Sequence, residues 1–237
     1  MNKKTIQLIL GSTIVCIATN YVYAENSHEN KFDYYILATE WTPSLCVIGT
    51  SKNDAELDDL RACQQQVNRP LMYHGFWPEN NDGSYPIFCS LVPKLDYNKL
   101  TFVNPYKNYL ANPNEFLSHE WSKHGTCSDQ YKPAQEHTNP DEYYKHVNYY
   151  FQSSINLYQK IKIPTLDLSL GNKNLLELIH NVNPQIPANA IVVTCEKDKQ
   201  QQYLTGLWFC VDKSLNKFIP CSSAILKTSC TGTMLTR

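Results

Sequence analysis

The cysteine content of this chain restricts its fold more than any other feature of the sequence. Nine cysteines are spread over 237 residues, and the first of them, Cys16, lies in an N-terminal segment that is expected to be removed on export. The other eight form an even set, which in an oxidising compartment predicts four disulfides. A structural zinc site is the alternative, but such sites use cysteine pairs separated by about two to four residues, and no pair here is that close. Because eight cysteines can pair in about 105 ways, composition leaves their connectivity open.

The first 24 residues have the pattern of a secretory signal peptide. Lysines at positions 3 and 4 precede an apolar run from Ile6 to about Ala18, and the segment ends at the small residue Ala24. We therefore expect a signal peptide over residues 1–24, a single domain over residues 25–237, and a protein that is periplasmic or secreted. No later stretch reaches the roughly 20 apolar residues that a membrane span needs, so we expect no membrane contact of the mature chain.

The net charge of the mature chain excludes a protein that binds polyanions on a broad basic surface. Residues 25–237 contain 19 lysines and arginines against 22 aspartates and glutamates, a formal balance of minus three. A mildly acidic protein attracts a polyanion only where its few cations are gathered in one place. Any contact with nucleic acid is therefore expected in a local cleft.

Hydrophobic patterns predict an α+β fold, a single domain in which helices flank a central antiparallel sheet and disulfides staple the chain. Pro43 is expected to end the first strand and Pro78 the second, with a turn over residues 80–83 after it. The predicted strands are 31–41, 71–76, 190–195, 202–211 and 217–221. The predicted helices are 55–61, 112–124, 139–161 and 174–181. The apolar stripe of the longest helix, which is expected in the core, consists of Tyr143, Val147, Tyr150, Phe151, Ile155 and Tyr158.

The segment NPNEFLSHEWSKHGTC, residues 112–127, joins helix signals to reactive side chains. Asn112 is a candidate cap, Pro113 fits the first helical turn and Gly125 is a candidate stop. At about 100° per residue, four polar side chains fall within an arc of roughly 140°, and such a group is unusual on a solvated face or in a core. These candidates for a catalytic site are His119, Glu120, Lys123 and His124. The zinc-protease motif is not met, because it needs histidines four residues apart and these are five apart.

The segment LMYHGFWPEN, residues 71–80, places His74 at the end of a predicted strand. Gly75 removes a side chain next to it, Trp77 offers a broad aromatic face and Pro78 stiffens the exit from the strand. A corner of this kind can hold a nucleobase. A structural turn around a buried tryptophan is the alternative interpretation.

The two segments HGFWP and HEWSKHGTC, in this order and about 40 residues apart, resemble the two active-site segments of the ribonuclease T2 family. The run FDYYILATEW near the mature start resembles the first strand of that family, and the carboxyl-terminal cysteines also fit. The resemblance covers essentially the whole mature chain. It implies an endoribonuclease that acts on single-stranded RNA with low base specificity, without a metal or cofactor, as a monomer that does not cleave DNA.

The resemblance also implies a role for each of the reactive residues. His74 would be the general acid and His124 the general base, while Lys123, His119 and Glu120 would support the phosphate. Such chemistry needs a base for the ribose 2′-hydroxyl, an acid for the departing 5′-oxygen and a cation for the charge on the phosphorane. The products would be a 2′,3′-cyclic phosphate, then a 3′-phosphate. Since Glu120 lies four residues before His124, we expect it to orient that ring.

Base binding is the least specific part of the resemblance. Trp77, Glu79 and Tyr85 would hold the base on the 5′ side of the cleaved bond, and Phe116 would contact the following base. The family commonly has other residues where this chain has Phe76, Leu117 and Ser122, and some relatives have aspartate in place of Glu79. These departures leave base preference open.

The resemblance further implies a pairing of the eight mature-chain cysteines. The expected disulfides are Cys46 with Cys63, Cys89 with Cys127, Cys195 with Cys230, and Cys210 with Cys221. Two other functions stay open at this point: a non-catalytic RNA-binding or signalling member of the same fold, and a zinc-dependent hydrolase. The intact set of histidines, glutamate and lysine argues against the first, and the histidine spacing argues against the second.

Overall fold

The computed structural model describes residues 31–52, Cys63, residues 69–129, Tyr131 and residues 139–236, without the side chains of residues 50–52. The predicted signal peptide, residues 1–24, and the predicted helix 55–61 lie outside the described residues. Within the described part of the chain, no helix combines the length and apolar character that a membrane span requires.

Strands and helices alternate irregularly along the chain, as the α+β prediction requires. The strands are β1 Tyr34–Trp41, β2 Leu71–Glu79, β3 Ser169–Gly171, β4 Ile191–Asp198, β5 Gln201–Val211 and β6 Thr233–Leu235. The helices are α1 Thr42–Lys52, α2 Pro113–Lys123, α3 Pro140–Lys160, α4 Asn172–Val182 and α5 Ser223–Leu226. Short 3-10 turns lie at Tyr97–Lys99, Gly125–Cys127 and Ala188–Ala190.

The described strands form one six-stranded sheet, with the order β2-β1-β5-β6-β3 and with β4 also paired to β5. Pairing is antiparallel throughout except for a parallel contact between Tyr203 of β5 and Leu235 of β6. The α+β prediction with a central, mainly antiparallel sheet is therefore confirmed.

The main core lies on one face of the sheet, beneath α2 and α3. Asn139 caps α3 by accepting hydrogen bonds from the backbone N–H groups of Asp141 and Glu142, which fixes the predicted helix start. All six residues of the predicted stripe are buried: Tyr143, Val147, Tyr150, Phe151, Ile155 and Tyr158. On the opposite face, a smaller apolar cluster surrounds Cys210 and Cys221 and includes Ile36.

Tyrosine hydroxyls bind the outer edge of β2, the strand that ends the sheet order. The hydroxyl of Tyr158 donates to the carbonyl of Leu71 at 2.6 Å. The hydroxyl of Tyr106 donates to the carbonyl of His74 at 2.7 Å, and that of Tyr150 donates to the carbonyl of Phe76. Because no other strand among the described residues pairs with this edge of β2, these hydroxyls satisfy backbone groups that would otherwise be buried without partners.

Two strand predictions were wrong in extent. Strand β2 does not end before Pro78 but continues to Glu79, with Pro78 opposite Tyr35. An edge strand tolerates proline because the missing N–H has no neighbour to bind. The predicted strand 217–221 is reduced to a single bridge between Val211 and Phe218. Helix α1, which begins where Pro43 was expected only to end a strand, and the three-residue strands β3 and β6 were not predicted.

Four disulfides join the eight cysteines in the pairs that the resemblance implies. Their Cα–Cα distances run from 5.1 to 5.9 Å, within the ordinary range for disulfides. The pairs are Cys46–Cys63, Cys89–Cys127, Cys195–Cys230 and Cys210–Cys221.

The packing of α3 generates a stability prediction. Phe151 is 0% exposed and Tyr149, two residues earlier on the same helix, is 49% exposed. Phe151→Ala should lower the free energy of unfolding by about 3–5 kcal/mol because it leaves a cavity in the core. Tyr149→Ala, as the matched control, should change it by less than about 0.5 kcal/mol. Urea denaturation with the disulfides intact measures both, and equal losses would contradict the assigned faces of α3.

Candidate active site

Strand β2 carries a β-bulge at His74. Ala38 of β1 pairs with Gly75 of β2, but the next residue, Thr39, pairs with Tyr73, so that His74 is the extra residue. A bulge of this kind bends a strand and re-aims a side chain. The face of β2 changes between His74 and Phe76, which regular alternation would put on the same face: His74 lines a pocket, whereas Phe76 lies in the main core.

The two histidines singled out from distant segments, His74 and His124, share this pocket. Its volume is about 470 Å³. It lies between the β1, β2 and β5 face of the sheet, the end of α2 and the α5 region. The lining residues are Ile36, His74, Trp77, Glu79, Gly83, Tyr85, Lys123, His124, Trp208, Ile225 and Thr228.

Carboxylates flank His74 on both ring nitrogens. Its Nδ1 lies 2.5 Å from Oε1 of Glu40, and its Nε2 lies 3.7 Å from Oε1 of Glu120. Burial lowers the pKa of His74, but the charge and hydrogen bond of Glu40 and the charge of Glu120 raise it. The net result is a pKa above the ordinary value for histidine, so His74 favours the protonated state.

Glu120 does not hold His124, which corrects the sequence-based expectation. Its buried carboxylate accepts a hydrogen bond of 2.9 Å from the indole N–H of Trp77 and faces His74. Burial raises the pKa of this carboxyl group, while His74 and the bond from Trp77 lower it in part. Glu120 contacts His124 through the backbone, where the carbonyl of Glu120 accepts a hydrogen bond of 3.0 Å from the N–H of His124. Helical spacing put both residues on one face, but His124 lies just past the last residue of α2.

His124 occupies an apolar setting that differs from that of His74. Its ring stacks on Trp77 with centroids 5.2 Å apart, and its buried Nδ1 has no hydrogen-bond partner among the described residues. Burial lowers the pKa of His124 to about 3. The positive charges of Lys123, His74 and His119 act in the same direction. His124 is therefore held neutral in the pH range where His74 is protonated.

Lys123 and His119 differ in their distance from the pocket. Lys123 lines it, whereas His119 is exposed and is not among the lining residues. The His119 ring lies 6.3 Å from that of Phe116, which in turn lies 5.2 Å from that of His74. Partial burial, Lys123 and His74 lower the pKa of His119. His119 therefore lies at the rim, next to Phe116.

The two aromatic candidates for base binding, Trp77 and Tyr85, differ in how firmly the protein holds their rings. Trp77 is held by Glu120, His124 and, at a steep angle, by Trp208 with ring centroids 5.3 Å apart. Tyr85 is 57% exposed at the pocket, beyond the turn that the positive φ of Gly83 allows. The exposed ring of Tyr85 is thus more open to a ligand than that of Trp77.

Glu79 is a buried carboxyl group that has spare hydrogen-bonding capacity. It is 4% exposed, lines the pocket, and its Oε1 has no hydrogen-bond partner among the described residues. Burial raises its pKa to about 7, although a bond from the backbone of Asn80 acts in the opposite direction. Glu79 can therefore present either a carboxylate or a neutral acid near neutral pH.

Sequence reasoning missed Glu40 and the pocket wall built by Trp208, Ile225 and Thr228. Alternation along FDYYILATEW puts Glu40 on the same face as Ile36, and a charge at the end of an otherwise apolar strand was an available signal. Nothing in the sequence showed that β5 would pair with β1 and bring Trp208 opposite Ala38.

Tight contacts hold the two reactive segments together. The backbone N–H of Phe88 donates to the carbonyl of Lys123 at 2.8 Å, and the neighbouring Cys89 is bonded to Cys127. A side chain at Gly75 would collide with the Glu120 carboxylate and the Trp77 indole. The carboxylate can approach the strand this closely only because position 75 is glycine.

The residues that the structure describes contain no group of three or more His, Cys, Asp or Glu side chains arranged to hold a metal ion. What the pocket does combine is a histidine that favours its protonated state, a histidine held neutral and a lysine. This combination can donate one proton, accept another and offset negative charge in the same reaction.

Comparison with known proteins identifies the family. A model of the Ribonuclease T2 family matches residues 32–221. Ribonuclease DdI of Dictyostelium discoideum is 29% identical over 238 residues, which cover 96% of this chain and 93% of that protein. Ribonuclease MC1 from the seeds of bitter gourd has a TM-score of 0.61 at 18% identity, covering 86% of this chain and 100% of that one. RNase NT, solved in complex with 5′-AMP, has a TM-score of 0.59 at 20% identity, covering 81% of this chain and 91% of that one. The structural likeness shows the fold, and the family model spans more than half of the sequence, so the chain belongs to the Ribonuclease T2 family of endoribonucleases.

Proposed function

We propose that this T2 family endoribonuclease cleaves single-stranded RNA by metal-independent transphosphorylation, with His74 as general acid and His124 as general base. One observation carries the assignment: two histidines share a pocket, and their surroundings move their pKa values in opposite directions. Residues of one type whose pKa values are separated in this way are suited to acid and base roles at the same pH.

The first step transfers two protons. Neutral His124 accepts the proton of the ribose 2′-hydroxyl, and the resulting oxygen nucleophile attacks the phosphorus. Protonated His74 donates its proton to the departing 5′-oxygen, which leaves as a hydroxyl group. The products are a 2′,3′-cyclic phosphate and a 5′-hydroxyl end. DNA is not a substrate because it lacks the 2′-hydroxyl nucleophile.

The second step hydrolyses the cyclic phosphate to a 3′-phosphate. The first step leaves His124 protonated and His74 neutral, so the roles reverse: His74 accepts a proton from water and His124 returns one to the 2′-oxygen. In both steps negative charge develops on the phosphorane oxygens. Lys123, which lines the pocket, offsets this charge from inside, and His119 does so from the rim. Glu120 supports the site by holding the Trp77 indole and facing His74.

Base binding is assigned to three residues that line the pocket and to Phe116, which lies beside His74 outside that lining. Trp77, Glu79 and Tyr85 hold the base on the 5′ side of the bond, and Phe116 contacts the following base. Stacking on an aromatic ring contributes about 1–3 kcal/mol per base and depends little on base identity, which fits low base specificity. The complex of RNase NT with 5′-AMP supports nucleotide binding by this fold.

The four disulfides support an oxidising compartment for this protein, because bonds of this kind persist outside the cytosol. We propose that residues 1–24 direct export and that residues 25–237 act as a monomeric catalytic domain, in the periplasm or after secretion.

Removal of either histidine should stop cleavage. His74→Ala and His124→Ala should each lower kcat by about 10²- to 10⁴-fold, the usual contribution of one acid or base. His180→Ala, which changes an exposed histidine of α4 outside the pocket, is the matched control and should cut at the parent rate. Initial rates on single-stranded RNA in EDTA measure this. Variants as active as the parent would sink the mechanism, and activity that returns only with zinc would favour a metal-dependent hydrolase.

The pH profile of kcat/KM should be bell-shaped with a strongly acidic lower limb. His124 must be neutral, and since its pKa is lowered to about 3, activity should persist down to about that pH and fall below it. His74 must be protonated, and since its pKa is raised, activity should persist above pH 6.5. A lower limb near pH 6.5 would contradict the assignment of His124 as base.

Glu79 should make base preference depend on pH. Its pKa of about 7 means that the pocket offers a neutral acid below that pH and a carboxylate above it, which present different hydrogen-bonding patterns to a base. The ratio of kcat/KM for dinucleotides with different 5′ bases should therefore change between about pH 6 and 8 in the parent. In Glu79→Gln, whose side chain does not titrate, the ratio should stay constant. A constant ratio in both proteins would remove Glu79 from base selection.

A further inference from the structure

Glu40 forms the shortest polar contact that His74 makes. Its Oε1 lies 2.5 Å from Nδ1 of His74, and the side chains of His74 and Glu40 are only 25% and 29% exposed. A hydrogen bond between a protonated imidazole and a carboxylate is charge-assisted, and bonds of this kind are shorter and stronger than those between neutral groups. The pair lies at the edge of the pocket, where the protein partly shields it from water.

The architecture of the sheet aims Glu40 at this position. Glu40 pairs with Met72 on β2, and the bulge that follows brings His74 alongside it. On its other side, Glu40 pairs with Gly206 of β5, which has no side chain to compete for the carboxylate. Its neighbours Thr39 and Trp41 are buried on the opposite face. Glu40 is therefore the acidic residue that the end of β1 presents to His74.

We propose that Glu40 is a positioning residue for the acid of the reaction, which binds Nδ1–H of His74 and thereby leaves Nε2 as the atom that donates the proton to the 5′-oxygen. The proposal rests on the proposed function, in which His74 is that acid. A carboxylate that binds one ring nitrogen fixes both the tautomer and the orientation of an imidazole.

Glu120, the second carboxylate near His74, lies at the other nitrogen of the ring. Glu120 lies 3.7 Å from Nε2, is bound to the Trp77 indole and is buried. It therefore flanks the nitrogen that must meet the substrate, whereas Glu40 holds the nitrogen at the rear of the ring. Nδ1 of His74 is therefore the nitrogen that the protein holds, and Nε2 is the nitrogen that faces the substrate.

The charges around His74 determine what the loss of Glu40 would do. Glu40 faces it from β1, and Glu120, Lys123, His119 and His124 face it from α2 and the residue that follows. Burial and the charge of Lys123 oppose protonation, while the two carboxylates favour it. Without the charge of Glu40, the pKa of His74 falls. The protonated acid is then lost at lower pH, so the alkaline limb of the pH profile moves down.

The test compares Glu40→Gln, Glu40→Asp and Glu40→Ala with the parent in two measurements. The first is kcat/KM against pH on single-stranded RNA, and the second is the NMR titration of the His74 ring proton on Cε1. Glu40→Gln should lower both the alkaline limb and the NMR pKa by about one pH unit or more, the effect of losing one adjacent opposite charge. Glu40→Asp keeps the charge and should keep the alkaline limb within about half a pH unit of the parent, whatever its rate.

Glu40→Ala removes the hydrogen bond as well as the charge. It should lower kcat by about 10- to 100-fold even at acidic pH, the usual cost of losing the partner that orients a functional histidine. Glu115→Gln, which changes an exposed glutamate paired with Lys94, is the matched control and should leave both measurements unchanged. An unaltered His124 titration in each variant shows that the pocket is folded.

The outcomes separate this proposal from the proposed function. If Glu40→Gln titrates like the parent in both measurements, Glu40 does not position His74. If the NMR pKa moves and the alkaline limb does not, His74 is not the acid that this limb reports, and the proposal fails together with that role. If His74→Ala keeps full activity, the proposed function fails by itself, while the NMR titration still decides whether Glu40 holds the ring.

Discussion

Antiparallel pairing of β1 with β2, interrupted by one extra residue at His74, is the constraint on which the pocket depends. In a regular strand, side chains two apart share a face, and Trp77 would point into the core with Tyr73. The bulge changes the face in the middle of β2. Phe76 then enters the core, while Trp77 and Glu79 join His74 in the pocket. One backbone irregularity therefore gathers side chains that regular alternation would separate.

Two identical side chains acquire different chemistry because the fold distributes charge unevenly around them. His74 lies between two carboxylates, whereas His124 stacks on an indole and lacks a hydrogen-bond partner at its Nδ1 among the described residues. The carboxylate of Glu120, though it comes from the helix that ends at His124, is held on the side of His74 by the Trp77 N–H. The carboxylates beside His74 and the burial of His124 thus decide which ring keeps its proton.

Short stretches of sequence predicted the features whose signals lie within those stretches. The start of α3 was evident because Asn139 and Pro140 stand before a long apolar stripe, and both reactive segments were recognisable from residue types and order. The pairing between distant segments could not be predicted from such stretches. The bulge at His74 and the approach of Glu40 follow from the register of β1 against β2, which no short window of sequence contains. The three-residue strands β3 and β6 are too short to produce a pattern.

The tyrosine hydroxyls along β2 have a consequence beyond the packing of α3. The outermost strand of a sheet normally offers free carbonyl and N–H groups to any extended segment that drifts past, which is a common route to domain swapping and fibril growth. Here the carbonyls of Leu71, His74 and Phe76 are already occupied, and Pro78 contributes no N–H. The hydroxyls of Tyr150 and Tyr158 from α3, together with that of Tyr106, thus also deny neighbouring molecules a template for polymerisation.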